Sequence, residues 1–472
     1  MRLPLLSLGL LLALAVPLPA QTVLIKPYVQ PGHGSTLDGR DSKVITWFTD
    51  QKPGQFTVEF GPTTRYGQSA AHIRTALDTQ TNQHHFRYSA TLADLPFDTT
   101  IHYRVKQGGD VLREASFRTR SSPENPARFI VVGDTAAGTP GQRRLAYEMS
   151  RVNPGSMLIV GDIVYSRGRV AEYLTNFWGP YNNTAAPDPK LGAPLMQSTV
   201  FHAVLGNHDI GASNIARVPD GFAAFYYFHA PTNGPGPGPW ATPVGGTAAQ
   251  NAAFRQAAGP AWPALGFYSF DNGPAHFLAL DANRYANYTN ATLLKWIEND
   301  LRSTKQPWKF VFFHHPGFHS SWAHYNEQKM RVLAPLFEAC GVDVVFAGHV
   351  HNYQRSKPLR FAPATARPTT RGRVDGTFKL DEKFDGTTVT QPDGILYIVT
   401  GGGGARLYDP DYTDDPEAWK VNAPGNWVPF TAKFIADRHS FSLVEVDRQK
   451  FLLRQIDDTG AEVDRIVVTK PR

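Results

Sequence analysis

Residues 156–169 read SMLIVGDIVYSRGR. SMLIV is apolar without a break, as expected of a short strand covered on both faces rather than one with a solvent side. The run stops at a Gly and Asp162, and Tyr165 follows three residues later. A single Asp after a strand is commonly a turn or helix-cap residue. Four other segments share the form, however: RFIVVGD (128–134), TVFHAVLGNHD (199–209), KFVFFHHP (309–316) and VDVVFAGHVH (342–351). Their ends carry Asp134; Asn207, His208 and Asp209; His314 and His315; His349 and His351. In an α/β sheet, ligands bind beyond the carboxyl ends of the strands. Five polar strand ends in order therefore point to one shared site.

The segments between these strands supply helices. TLLKWIENDLRS (292–303) places Leu293, Trp296, Ile297 and Leu301 on one helical face, and EQKMRVLAPLFEACG (327–341) does the same with Met330, Leu333, Phe337 and Cys340. Pro335 falls inside the second pattern and predicts a kink or a split there. PTNGPGPGPWATPVGG (231–246) reads as a long loop, and the last 30 residues read as closing antiparallel strands. TGGGGARL (400–407) lacks the Lys-Ser/Thr of a P-loop and reads as a tight loop near the pocket.

Before residue 121 the texture changes. KVITWFTD (43–50), QFTVEFG (55–61), HFRYSATL (85–92) and IHYRVKQGG (101–109) alternate, with Phe56, Val58 and Phe60 on one side and Thr57 and Glu59 on the other. Turn residues recur at sandwich-like spacing. LPFDTTIHYRV (95–105) has the form of a sheet corner pinned by a tyrosine, as in fibronectin type III modules. SSPENPAR (121–128) has the composition of a linker.

At 472 residues, with 42% hydrophobic and 19% charged side chains, the chain is expected to form two domains. Residues 1–20, MRLPLLSLGLLLALAVPLPA, have the pattern of a secretory signal peptide, so a secreted or periplasmic protein with no membrane span after processing is expected. Cys340 is the one cysteine, which excludes an internal disulfide and a thiolate metal cluster. Any metal must then be held by His, Asp, Asn or Tyr, a donor set that suits Fe, Mn or Zn. The formal charge of +6 is scattered, without a basic block interleaved with aromatics, so nucleic-acid binding is not indicated.

The ordered set GD (133–134), GDIVY (161–165), GNHD (206–209), VFFH (311–314) and GHVH (348–351) resembles the calcineurin-like metallophosphoesterases and, more closely, the purple acid phosphatases. The resemblance spans residues 128–356, and the β-rich stretch before it is similar to that of two-domain members. It implies an all-β, fibronectin type III-like sandwich at 22–120, a linker at 121–127, and an α/β metallophosphoesterase domain at 128–472 built as a four-layer α/β/β/α sandwich.

By the same resemblance Asp162 bridges two metals. Asp134, Tyr165 and His351 complete a Fe(III) site, and Asn207, His314 and His349 complete a divalent site for Fe, Zn or Mn. A phenol, with a pKa of roughly 10, becomes a ligand at neutral pH only against a hard, highly charged cation. The alternation in GHVH fits the division, since residues two apart in an extended segment project to one side. One departure from the family pattern is Ala136 in GDTAAG, where Gly is usual.

The implied activity is acid phosphatase: hydrolysis of phosphate monoesters by a hydroxide held at a dinuclear Fe(III)–M(II) centre, with optimal turnover on the acid side of neutral. His208 and His324 are expected to flank the phosphate as proton donors or anchors, and Asp209 to orient His208. His315 and His319 are open between pocket lining and surface. Two other functions fit the residues: a phosphodiesterase or nucleotide hydrolase using the same metals, and a non-catalytic cell-surface binding protein.

Overall fold

The alternating segments close into two four-stranded antiparallel sheets. One runs in the order Val23–Pro31, Asp41–Thr49, His85–Leu95, His72–Leu77, and the other in the order Gln68–Ala70, Phe56–Gly61, Thr100–Gln107, Asp110–Arg118. Their inner faces share one core, in which Val29, Ile45 and Trp47 meet Phe56, Val58 and Val105. Trp47 stacks on Tyr88 with ring centroids 5.3 Å apart. This is a computed structural model, and it describes residues 21–52, 54–236, 238–240, 244–369, 372–415 and 429–471. The expected leader at 1–20, and part of the 231–246 loop, lie outside the described residues.

Tyr103 does not pin a corner of its own sheet. Its hydroxyl crosses to the following domain and donates to the Gln197 carbonyl at 2.9 Å. The stretch with linker composition is held rather than free: the Ser121 amide donates to Asn272 Oδ1 at 2.8 Å, and the Gly273 amide donates to the Ser121 carbonyl at 2.9 Å.

The apolar runs form the centre of two mixed sheets. Val200–Val204, Ser156–Val160 and Ala127–Val132 are mutually parallel and continue into the antiparallel closing strands Ser440–Val446, Lys450–Asp457 and Glu462–Thr469. The second sheet has the order Phe267–Asn272, Ala275–Leu280, Trp308–Phe312, Val344–Ala347, Leu396–Thr400, Tyr353–Ser356, Thr431–Ile435. The two sheets pack face to face, with the Phe129 ring of the first 5.0 Å from Phe277 of the second.

Helices cover the outer faces and complete four layers. Pro140–Arg151, capped by Thr139, buries Leu145 and Met149 on the first sheet. Ala291–Ser303, capped by Asn290, buries Leu293, Ile297 and Leu301 over the second. The pattern at 327–341 splits into a 3-10 turn, Lys329–Leu333, and the helix Ala334–Ala339. Pro335 sits in the first turn of that helix, where its missing N–H leaves nothing unpaired. The five polar strand ends thus come three from one sheet and two from the other, and they meet along one edge of the double layer. No helix among the described residues is long and apolar enough to cross a membrane.

Candidate metal centre

Each polar residue reaches the site because its strand ends where the backbone turns sharply. Asp134, Asp162 and His349 have left-handed backbones, with φ of 59°, 45° and 69°. Such a conformation is uncommon for residues other than Gly and points to local function when the surroundings enforce it. The surroundings do enforce it here. The Asp134, Thr135 and Ala136 amides donate to the carbonyls of Gly161, Asp162 and Ile163, so the two Asp-bearing loops are laced together. Ala136 takes part with its methyl buried, and the Tyr165 amide donates to its carbonyl at 3.1 Å. The family's Gly is therefore not required at this position.

The Gly run at 401–404 packs against the same loops. The Gly403 amide donates to Gly133 and the Ala405 amide to Asp134, at 3.1 and 3.0 Å. A β-carbon on Gly401 would overlap the Val350 carbonyl and lie 2.7 Å from Asp134 Oδ2. The run serves close backbone approach.

Tyr165 is the hub of one half of the site. Its hydroxyl lies 2.9 Å from Asp134 Oδ1, 3.1 Å from Asp162 Oδ2 and 2.9 Å from His351 Nε2. Burial, then the charges of Asp134 and Asp162, push the phenol pKa well above its ordinary value. His351 is oriented through Nδ1, which donates to the Arg406 carbonyl at 2.7 Å, and it stacks on Tyr408 at 4.1 Å.

The other half centres on His314, fully buried. Its Nδ1 is 2.9 Å from the Val160 carbonyl, which turns Nε2 to Asn207 Oδ1 at 3.1 Å and Asp162 Oδ1 at 3.3 Å. Burial opposes the charge on Asp162, but His314 outweighs it and holds the carboxyl below the usual range; the His314 imidazole is in turn raised to about 10. His349 packs its ring 4.9 Å from that of His314, and its amide donates to Asp134 Oδ2 at 2.8 Å. GHVH is not an extended segment, since its strand ends at Ala347. The two imidazoles diverge through the left-handed turn at His349 rather than through strand alternation.

Three groups of side chains offer ligand atoms within 4.8 Å of one another: Asp134, Asp162 and His351; Asp162, His314 and His349; and His315, Glu327 and His349. Asp162 belongs to the first two. Asn207 joins the second and Tyr165 the first by the distances above. Oxygen and nitrogen donors without sulfur are a set for hard or borderline cations.

His208 lies beside Tyr165, ring centroids 4.6 Å apart. Its amide donates to Asp162 Oδ1 at 2.8 Å, and its Nδ1 pairs with the Ser166 carbonyl at 2.6 Å. Asp209 does not orient it. That carboxylate is buried and accepts the amides of Ile163, Val164 and Gly206, which ties the GNHD loop to the GDIVY loop. Burial, then the charge of Asp162, raise the Asp209 carboxyl to about 8. Asp209 shapes the loops, and a backbone carbonyl fixes the imidazole.

His324 packs 4.0 Å from the His349 ring, and its Nδ1 lies 3.4 Å from Glu327 Oε1. Glu327 was not singled out from the sequence. Its other oxygen is 3.1 Å from His349 Nε2 and 3.7 Å from His315 Nε2. The available signal was the three-residue spacing in HYNE, which one turn brings to the same side; the Glu327 amide donates to the His324 carbonyl at 2.8 Å. His315 and His319 are both buried, and His315 lines the cluster with its ring 4.2 Å from His349.

Comparison with known proteins agrees with this architecture. The calcineurin-like phosphoesterase family profile matches residues 127–353, and the purple acid phosphatase N-terminal domain profile matches residues 33–119. Fe(3+)-Zn(2+) purple acid phosphatase 12 of Arabidopsis thaliana is 26% identical over 329 residues, covering 66% of this chain and 62% of that protein. A phosphoenolpyruvate phosphatase of Allium cepa is 27% identical over 426 residues, covering 83% of this chain and 78% of its own length. The chain thus spans less than two thirds of the Arabidopsis relative. The solved structure of a purple acid phosphatase from yellow lupin (Lupinus luteus) seeds shares the fold, with a TM-score of 0.63 at 15% identity over 94% of this chain and 74% of that one.

Proposed function

We propose that this chain, which matches the purple acid phosphatase N-terminal domain over residues 33–119 and the calcineurin-like phosphoesterase domain over residues 127–353, is an exported, metal-dependent phosphatase of the purple acid phosphatase type acting on phosphate monoesters. Asp134, Tyr165 and His351 would hold Fe(III), Asn207, His314 and His349 would hold a divalent Fe, Zn or Mn, and Asp162 would be shared between the two positions. The observation that carries this reading is the Tyr165 hydroxyl, buried within 3.1 Å of two carboxylates and an imidazole. A phenol so placed is a poor acid by itself, and a trivalent cation among these donors favours loss of its proton.

Cations held there supply charge to clamp a phosphoryl group and to acidify water. The chain's own residues do the rest. The His208 amide fixes Asp162 Oδ1, and the Val160 carbonyl holds Nδ1–H of His314 so that its Nε2 faces the site. With Nδ1–H of His208 committed to the Ser166 carbonyl, Nε2 carries a proton only in the cationic form, which makes that form a donor to a phosphate oxygen. Glu327 accepts from His324 Nδ1, so Nε2 of that ring can protonate the departing alkoxide only from the imidazolium form. Export rests on the leader pattern of residues 1–20.

Purified protein should contain iron and show a broad visible band that Tyr165→Phe abolishes. It should turn over p-nitrophenyl phosphate faster than the bis(p-nitrophenyl) diester. A preference for the diester would transfer the site to the phosphodiesterase reading, and turnover of neither ester by iron-loaded protein would end both.

A further inference from the structure

Trp322 is 63% exposed and is the one aromatic among the large apolar side chains that stand exposed in the described residues. Single apolar residues at a surface are ordinary; the position and neighbours of this one are not. It lines an open pocket of about 410 Å³ with His324, Tyr325, Asn326 and Glu327. Two of those residues reach the candidate metal centre, His324 through its ring contact with His349 and Glu327 through the 3.1 Å approach to His349 Nε2. The pocket therefore opens off the His349 end of the cluster, on the side where His324 stands.

The lining sets three rings, an indole, a phenol and an imidazole, beside the polar Asn326 and Glu327, with the Tyr408 ring 5.7 Å beyond His324. The charged lining group, Glu327, is already engaged by His324 and His349. A flat ring can stack on the exposed indole, a contact that a polyol cannot make.

We infer that this pocket is the leaving-group subsite, and that Trp322 is a specificity-determining residue selecting phosphate monoesters of planar aromatic alcohols. The inference rests on the monoesterase reading above. In the reaction, the oxygen of water bonds to phosphorus and the P–O(aryl) bond breaks with its electron pair on the aryl oxygen. That oxygen leaves as an oxide or takes a proton from His324, and the proton released by the attacking water makes up the one the aryl oxygen finally carries. Phenols have a pKa of roughly 10, so the step needs no reactant besides water.

The test is the ratio of kcat/KM for 1-naphthyl phosphate to that for glycerol 2-phosphate. Trp322→Ala should lower the ratio about tenfold, mainly through KM of the naphthyl ester, and Trp322→Phe should return most of it. A ratio unchanged in Trp322→Ala overturns the inference. Turnover of neither ester by metal-loaded wild type would remove the functional reading instead. The subsite is then decided by calorimetric titration with 1-naphthylphosphonate against methylphosphonate. A naphthyl preference lost in Trp322→Ala sustains it, and one retained, or absent from the wild type, overturns it.

Discussion

Three of the site's side chains, Asp134, Asp162 and His349, stand on backbones in a conformation that most residues avoid, and the site's weak points follow from how tightly its groups are held. Asp162 is tied by the His208 amide and by His314 while belonging to two of the ligand groups. Asp162→Asn keeps the shape and removes the charge, so it should lower metal content and reduce phosphatase turnover more than about a hundredfold, as measured by elemental analysis and initial rates. Unchanged metal content would contradict the assignment. Gly401 tests geometry rather than charge: Gly401→Ala forces a methyl onto the Val350 carbonyl and Asp134, and it should cost about 1–3 kcal/mol in denaturant unfolding together with a fall in bound metal. Of this level, the sequence shows the side chains but not their backbone company. Asp134, Tyr165 and His351 stand out because they follow apolar runs. The Ser166 and Arg406 carbonyls that set the two imidazoles carry no residue-type signal. Glu327 lay unnoticed because an acidic residue near a surface turn is common.

Among the elements, one contact makes a pH-dependent brace. His276 is paired in register with Asp271 across the hairpin of Phe267–Asn272 and Ala275–Leu280. Its Nδ1 lies 2.7 Å from Asp271 Oδ1, and its Nε2 lies 2.9 Å from Asp300 Oδ2 on the helix Ala291–Ser303, which also accepts from Ser269 Oγ. Burial opposes the imidazolium, but the two carboxylates prevail and raise the pKa to about 9. Because the folded value exceeds the unfolded one, the brace is at full strength below pH about 6.5 and is lost as pH rises through about 9, on the order of 3 kcal/mol. Thermal melts from pH 6 to 10 should show that decline, and His276→Gln should flatten it. Strand and helix positions were readable because apolar periodicity reports burial directly, as in Ala291–Ser303 and the closing strands. The division of five similar runs between two sheets was not, since a strand buried on both faces looks the same whichever sheet holds it.

Over the whole molecule, the two domains are joined by more than a tether. Arg113, 8% exposed in the sandwich, donates to Gln197 Oε1 and the Asn182 carbonyl at 2.8 Å each. Tyr28 donates to the Tyr227 carbonyl at 2.6 Å, and its ring lies 4.9 Å from Trp178. Ile25, Tyr28, Phe48 and Leu77 belong to the same apolar cluster as the double-sheet core. Calorimetry should therefore record one unfolding transition. Arg113→Ala, which strips partners from buried acceptors, should lower stability by about 2–3 kcal/mol or split the transition in two. The domain order was legible from the switch between alternating and continuous apolar runs. The joint was not, because Tyr28, Tyr103 and Arg113 lie on strands whose own pattern already accounts for them.

That shared core limits how such a chain can be cut or recombined. A version begun at Ala127 would lay bare the faces of Trp178 and Tyr227 and would be prone to clump before it finished folding. A foreign module grafted in front would have to bring its own hydroxyls and guanidinium to the same carbonyls. The phosphoesterase-like half is thus a poor candidate for domain shuffling, however separable it looks on paper.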